Sequence, residues 1–256
     1  KYLADGHLIW DMAMVTPCSI FIRHCHMVGQ VYRTLGFTYL TTVKLTAISQ
    51  IILSTIAFYY LASLIFTPLA TIITTLLYTY APYHAVNIYI RGAMNEAWAS
   101  VFFPLCFIFS YYLIKSQKTK YLIFLSLSYA GLFLSHNPMA LTFFPILLIW
   151  IIYWLYEKKL LKSWTIYIKF FYSGILSLAL TAFFTLPVIF ETKFVQIESM
   201  FQNYYHYSVH FASFNQLFFS SFWGDGPSVW GTADQMSFMI GYLHWIIPVI
   251  SFIIFI

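Results

Sequence analysis

The sequence predicts an all-α, polytopic transmembrane protein, and three observations predict it. Of its 256 residues, 61% are hydrophobic and 22% aromatic, while only 8% are charged. Apolar runs long enough to cross about 30 Å of hydrocarbon as helices recur along the chain. The net charge of +5 comes mostly from lysines in the short loops between those runs, the pattern that orients a chain in a bilayer. The lipid bilayer is therefore the expected partner. No basic patch suggests nucleic acid.

The elements follow in order. The first confident span runs from Val43 to Phe66, and Pro68 then allows a tight return. The next spans run from about Leu69 to Val86, from Ala93 to Ile114 and from Tyr121 to Leu134, where SHNP interrupts. Met139 to Tyr156 and Thr165 to Phe190 follow, and a last span starts near Phe238, for about seven in all. The chain begins at Lys1 without methionine and stops inside the apolar run SFIIFI, so it is expected to be an internal piece of a longer protein. Residues 34–190 form the expected helical core, 191–237 an aromatic outer loop, and 238–256 a truncated further helix.

Two lysine-rich loops, Lys115 to Lys120 and Glu157 to Lys162, flank one helical hairpin, so both can be cytoplasmic at once. The turn holding Arg91 and Glu96, the Ser135 to Pro138 turn, Glu191 and the loop from Thr192 to Ser237 then share the outer face. That loop is too aromatic for a disordered linker and is expected to fold over the membrane surface. Its stripe Tyr204, Tyr205, Tyr207 and Phe211 suits interface anchoring or stacking on sugar rings.

Charge in lipid is costly, so Arg91 and Glu96 must face water, protein or a ligand. They can hold a lipid phosphate and a sugar or acceptor, or they can pair with each other. Their five-residue spacing is imperfect for one helical face, so direct pairing needs a turn near Gly92. His136 and Asn137 precede Pro138 at an interrupted helix, where a proton carrier, a phosphate donor or a simple cap all fit. Glu191 suits a general base or a helix end in water. Asp225 and Asp234 can join it on a divalent cation, although turn formation around Gly224 explains Asp225 equally well.

Four stretches carry a resemblance: APYHAVNIYIRGAMNEAWASVFFPL, LFLSHNPMAL, TAFFTLPVIFETKFVQ and FNQLFFSSFWGDGPSVWGTADQMSFMIGYLH. In this order, from about Thr34 to the C-terminus, they resemble bacterial integral membrane proteins called "6-pyruvoyl-tetrahydropterin synthase-related". That family is in turn similar to GT-C glycosyltransferases. The resemblance implies a GT-C-like fold and transfer of a sugar from a polyprenyl-phosphate donor at the outer face of a bacterial cytoplasmic membrane. It does not imply pterin chemistry, because nothing here resembles the soluble synthase with its three-histidine zinc site. Arg91 and His136 are the implied leaving-group residues, with Asn137, Asp225 and Asp234 as further substrate contacts and Glu96 and Glu191 as candidate catalytic carboxylates. In GT-C enzymes the base usually lies in the first outer loop, which leaves Asp5 or a residue upstream of Lys1. A transporter or flippase using the same residues, or a non-catalytic scaffold, are the rival classes.

Before Val28 the likeness stops, and the genetic code suggests a reason. Moved by one base, the codons of Trp10-Asp11, Met12-Ala13 and Met14-Val15 force glycine, and His24-Cys25 forces leucine. The hidden reading is a Gly/Tyr/Pro-rich peptide like that of the family, so residues 1–33 are expected to be an outer-loop segment garbled by compensating indels over about Leu8 to Met27. His24-Cys25-His26, with His7 and Cys18 nearby, offers zinc-type ligands at unsuitable spacing, and no metal site is assigned there. Cys18, Cys25 and Cys106 make no disulfide framework.

Overall fold

The computed structural model describes residues 24–191, 206–229 and 234–255, which are helical with no strand among them. Asp5, His7, Cys18, Tyr204, Tyr205 and most of the proposed garbled segment lie outside those residues. The helices are α1 (His24–Thr34), α2 (Tyr39–Ser63), α3 (Pro68–Thr79), α4 (Pro82–Ala85), α5 (Met94–Ser116) and α6 (Thr119–Ser135). They continue as α7 (Asn137–Glu157), α8 (Trp164–Leu180), α9 (Ala182–Glu191), α10 (Phe214–Phe218) and α11 (Tyr242–Phe255).

Among the described residues α2, α5 and α7 are long and apolar enough to cross a membrane, and α8 with α9 makes a fourth if the bent pair is one span. At 17 residues α6 is apolar but shorter, and so is α11. The expected span from Leu69 to Val86 is not one helix. Pro82 offers no N–H and holds Ala81 in an extended conformation, so α3 stops at Thr79 and α4 begins afresh. The expected span from Thr165 to Phe190 bends by 76° between α8 and α9. Thr181 sits at that bend, fully buried, with its hydroxyl bonded to the Ser177 carbonyl at 3.0 Å, a back-bond that favours bending. Residues 24–34, expected within or beside a loop, form α1 instead.

The polar residues of the helices are turned inward and the apolar ones outward. In α2 the buried face repeats every fourth residue as Thr42, Thr46, Gln50 and Ser54, while Val43, Ile48, Ile52 and Ile56 are exposed. Ser173 and Ser177 of α8 are likewise buried beside exposed Phe171, Ile175 and Leu178. Apolar residues outside and small polar residues inside are what lipid selects, because small side chains let helices approach; the Thr46 and Ser173 hydroxyls bond the carbonyls of Thr42 and Phe170. Helix α5 is the centre. Of its most apolar window 61% is buried, against 33% for α2 and 22% for α7, and it packs on α2, α6 and α7.

Two apolar clusters join these helices. One contains Ala99, Cys106, Leu132, Ala140, Phe143 and Leu147, and the other Leu113, Leu125, Leu155 and Ile166. The second lies at the α5–α6 and α7–α8 connections, so both lysine-rich loops stand at one end of the bundle, where Lys169 Nζ also donates to the Gln117 carbonyl. Between α2 and α5, the Gln50 amide nitrogen donates to Ser100 Oγ at 2.7 Å, while Gln50 Oε1 has no partner among the described residues. Polar contacts between membrane helices average about 0.6 kcal/mol, and the unpaired oxygen subtracts from this one. Gln50→Met therefore changes unfolding free energy by less than about 1 kcal/mol, and a loss several times larger in detergent denaturation disproves the balance.

Candidate functional site

The end of the bundle opposite the lysine-rich loops gathers the N-termini of α2, α5 and α7 and the C-terminus of α6. The approach to α5 is irregular. After α4 the backbone widens into a π-turn over Val86–Ile90, Arg91 N bonds Val86 O at 2.9 Å, and Gly92 adopts φ +59. That left-handed glycine reverses the chain so that Ala93 N reaches the Asn87 carbonyl at 2.8 Å. Single π-turns are frequent at functional sites because they re-aim a side chain. Here the turn brings Arg91 to Glu96.

Arg91 Nη1 donates to Glu96 Oε1 at 2.9 Å, to Asn87 Oδ1 at 2.6 Å and to the Tyr83 hydroxyl oxygen at 3.1 Å. The Tyr83 hydroxyl donates to the same Glu96 oxygen, and Asn87 Nδ2 approaches it at 3.4 Å. Glu96 is 6% exposed and Arg91 34%. Burial alone pushes the Arg91 guanidinium down, but the hydrogen bond and charge of Glu96 outweigh it, so Arg91 is held above its ordinary value. Burial first, and then the Glu96 carboxylate, raise the Tyr83 phenol, which keeps its proton for donation. Glu96 thus accepts from three donors, an arrangement suited to an anchor rather than to a proton acceptor.

Two cavities flank this network. The larger, about 520 Å³, is lined by Gln30 and Arg33 of α1, Thr42 and Thr46 of α2, Glu96 of α5, and His136. Thr42 is 7% exposed, and its hydroxyl makes no hydrogen bond among the described residues. Arg33 lies 3.8 Å from the Tyr39 ring centroid and donates to the Phe37 carbonyl, which holds it at the rim. His136 caps α7, its Nδ1 accepting from Met139 N at 3.3 Å. The smaller cavity, about 400 Å³, is lined by Tyr83, Val86 and Arg91 together with His210, Ser228, Met236 and Ser237 from the segments before α11.

The structure therefore brings Glu96 and His136 to one cavity and turns Arg91 toward the other, with Glu96 bonded to Arg91 between them. Asn137 is the first residue of α7, and its Oδ1 is buried without a partner among the described residues. Glu191 ends α9 in an exposed position. Asp234 is occupied locally, accepting from Gln216 Nε2 at 3.1 Å and Met236 N at 3.2 Å, and Asp225 pairs its backbone with Met236 in an isolated bridge. Gly224 allows that pairing, since a Cβ there would stand 2.2 Å from the Gln235 carbonyl. Glu191, Asp225 and Asp234 are not assembled, and no group of three His, Cys, Asp or Glu side chains able to hold a metal occurs among the described residues. Helix α1 begins at His24, and the side chains of 24–26 lie outside what is described. Tyr207 and Phe211 are exposed, as anchoring or stacking both require, with ring centroids 5.8 Å apart.

Sequence reasoning missed Arg33, Thr42 and Ser237, which come from separate segments. Tyr83 and Asn87 had a readable signal, since with Arg91 they fall at intervals of four residues on one helical face. Comparison of the chain with protein-family models, curated proteins and solved structures finds no match.

Proposed function

We propose that this chain is a GT-C-like membrane protein that takes a polyprenyl-phosphate-linked sugar into the larger cavity at the outer face of a bacterial cytoplasmic membrane and transfers the sugar to an acceptor. The supporting observation is the convergence of a guanidinium (Arg33), an imidazole (His136), a carboxylate (Glu96) and a buried unpaired hydroxyl (Thr42) on one 520 Å³ cavity. That volume suits a small polar ligand with an apolar tail left in the bilayer. In this reading α3, α6, α9 and α11 join α2, α5, α7 and α8 to complete about seven crossings.

In the reaction the acceptor hydroxyl oxygen bonds the anomeric carbon, the bond from that carbon to the phosphate oxygen breaks, and the phosphate leaves with the electron pair. Arg33 and His136 are suited to the charge that grows on the leaving phosphate. Glu96 and Thr42 are suited to the sugar hydroxyls. The hydroxyl proton goes to a carboxylate supplied from elsewhere, and the resemblance points to the first outer loop, where Asp5 is one candidate and Glu191 of α9 another.

Vesicles containing the purified protein and labelled polyprenyl-phosphate sugars test this reading. Transfer of label to an acceptor is expected, with a drop of about tenfold or more in Arg33→Ala from one lost phosphate contact. Flux of the donor across the vesicle without transfer supports the transporter class instead, a reading that the 76° bend between α8 and α9 favours. Neither transfer nor flux rejects both.

A further inference from the structure

We infer that the smaller cavity, beneath the outer loop, is a phosphate-binding site separate from the cleft assigned to the donor. Arg91 carries the argument. All three of its side-chain hydrogen bonds leave from Nη1, to Glu96, Asn87 and Tyr83. Its Nε and Nη2 make none among the described residues, although the side chain is 34% exposed and lines the cavity. A guanidinium presents two N–H donors side by side along the Nε/Nη2 edge, and that edge matches two oxygens of a phosphate. Three acceptors on the opposite nitrogen fix the plane of the group. The open edge is thereby pre-oriented, which lowers the entropic cost of binding.

The facing wall supplies the remaining donors. Ser237 is 7% exposed, lines the cavity, and its hydroxyl makes no hydrogen bond among the described residues. Ser228 is 8% exposed and its hydroxyl lies 3.1 Å from His210 Nδ1, so the serine and the imidazole reach the cavity as a joined pair. Two serine hydroxyls and an imidazole lining the same cavity as a guanidinium edge suit an acceptor-rich ligand. The cavity is much larger than phosphate alone. The phosphate therefore belongs to a larger molecule, either a lipid headgroup or a soluble phosphoester, and Arg91 of the helical bundle and Ser237 of the outer loop hold it from opposite sides. This inference does not depend on sugar transfer.

The test is binding of inorganic phosphate, and then of phosphatidylglycerol, to the full chain in maltoside micelles, which contain no phosphate. Calorimetry or phosphorus NMR gives the readout. Saturable binding of at least one probe is expected. Affinity is expected to fall about tenfold in Arg91→Lys, which keeps the charge and the pairing to Glu96 but loses the fork, and a few-fold in Ser237→Ala. Gln50→Met, at a residue that lines neither cavity, is expected to bind as the wild type does. Binding of phosphatidylglycerol but not inorganic phosphate identifies the headgroup as the source, and binding of inorganic phosphate identifies a soluble one. Because Arg91→Lys can disturb the fold, Ser237→Ala decides independently. Absence of binding by both probes, or affinity unchanged in Ser237→Ala and lost in Arg33→Ala, overturns the inference.

Discussion

Glu96→Ala lowers the stability of the detergent-solubilised protein by about 2–4 kcal/mol, the largest loss expected of a single side chain at this end of the bundle. The carboxylate is 6% exposed and its Oε1 accepts from Arg91, Tyr83 and Asn87. Removing it leaves the guanidinium without its counter-charge and a partly buried phenol without its acceptor. Breaking a fully buried pair costs about 3–5 kcal/mol, and the 34% exposure of Arg91 lets water recover part of that. The matched double variant Arg91→Met with Glu96→Leu removes both charges and recovers most of the loss, as apolar replacements of buried pairs commonly do. Thermal unfolding followed by tryptophan fluorescence measures both. If the single and double variants unfold at the wild-type temperature, the pair does not hold the turn.

His136→Asn separates folding from function at the other wall of the cleft. The His136 Nδ1 caps α7 by accepting from Met139 N at 3.3 Å, and asparagine is among the best residues at that position. Stability is expected to stay within about 0.5 kcal/mol of the wild type, whereas His136→Ala loses about 1 kcal/mol with the cap. The imidazole is gone in both variants. Sugar transfer is expected to fall about a hundredfold in each, the usual effect of removing one donor to developing charge. An asparagine variant with wild-type transfer shows that His136 is a cap and nothing more.

The turn at Arg91 illustrates how legibility divides. That a charged pair between two apolar runs has to be satisfied, and that pairing needs a reversal near Gly92, followed from the cost of charge in lipid and the geometry of a five-residue interval. The π-turn over Val86–Ile90, after which Arg91 lines a second cavity, leaves no composition signal. Helix length was legible in a similar way. The run from Leu69 to Val86 reads as one span by hydropathy, yet Pro82 restarts it, while the bend at Thr181 arises where a buried hydroxyl competes for backbone carbonyls. Hydropathy counts apolar residues and does not register which way a helix turns.

By itself the sequence determined that the chain is helical, that several helices are apolar enough to suit a membrane, and that the two lysine-rich loops stand at one end of the bundle. Each of these depends on properties local to a segment: the transfer free energy of its side chains, its length and its charge. Only the tertiary structure decided that Arg33, Thr42, Glu96 and His136 line one cavity, that Arg91 and Ser237 line another, and that Asp234 is occupied within its own loop. The reason is distance along the chain. His136 and Arg33 line one cavity only because α1, α2, α5, α6 and α7 pack together in a register that no single segment encodes.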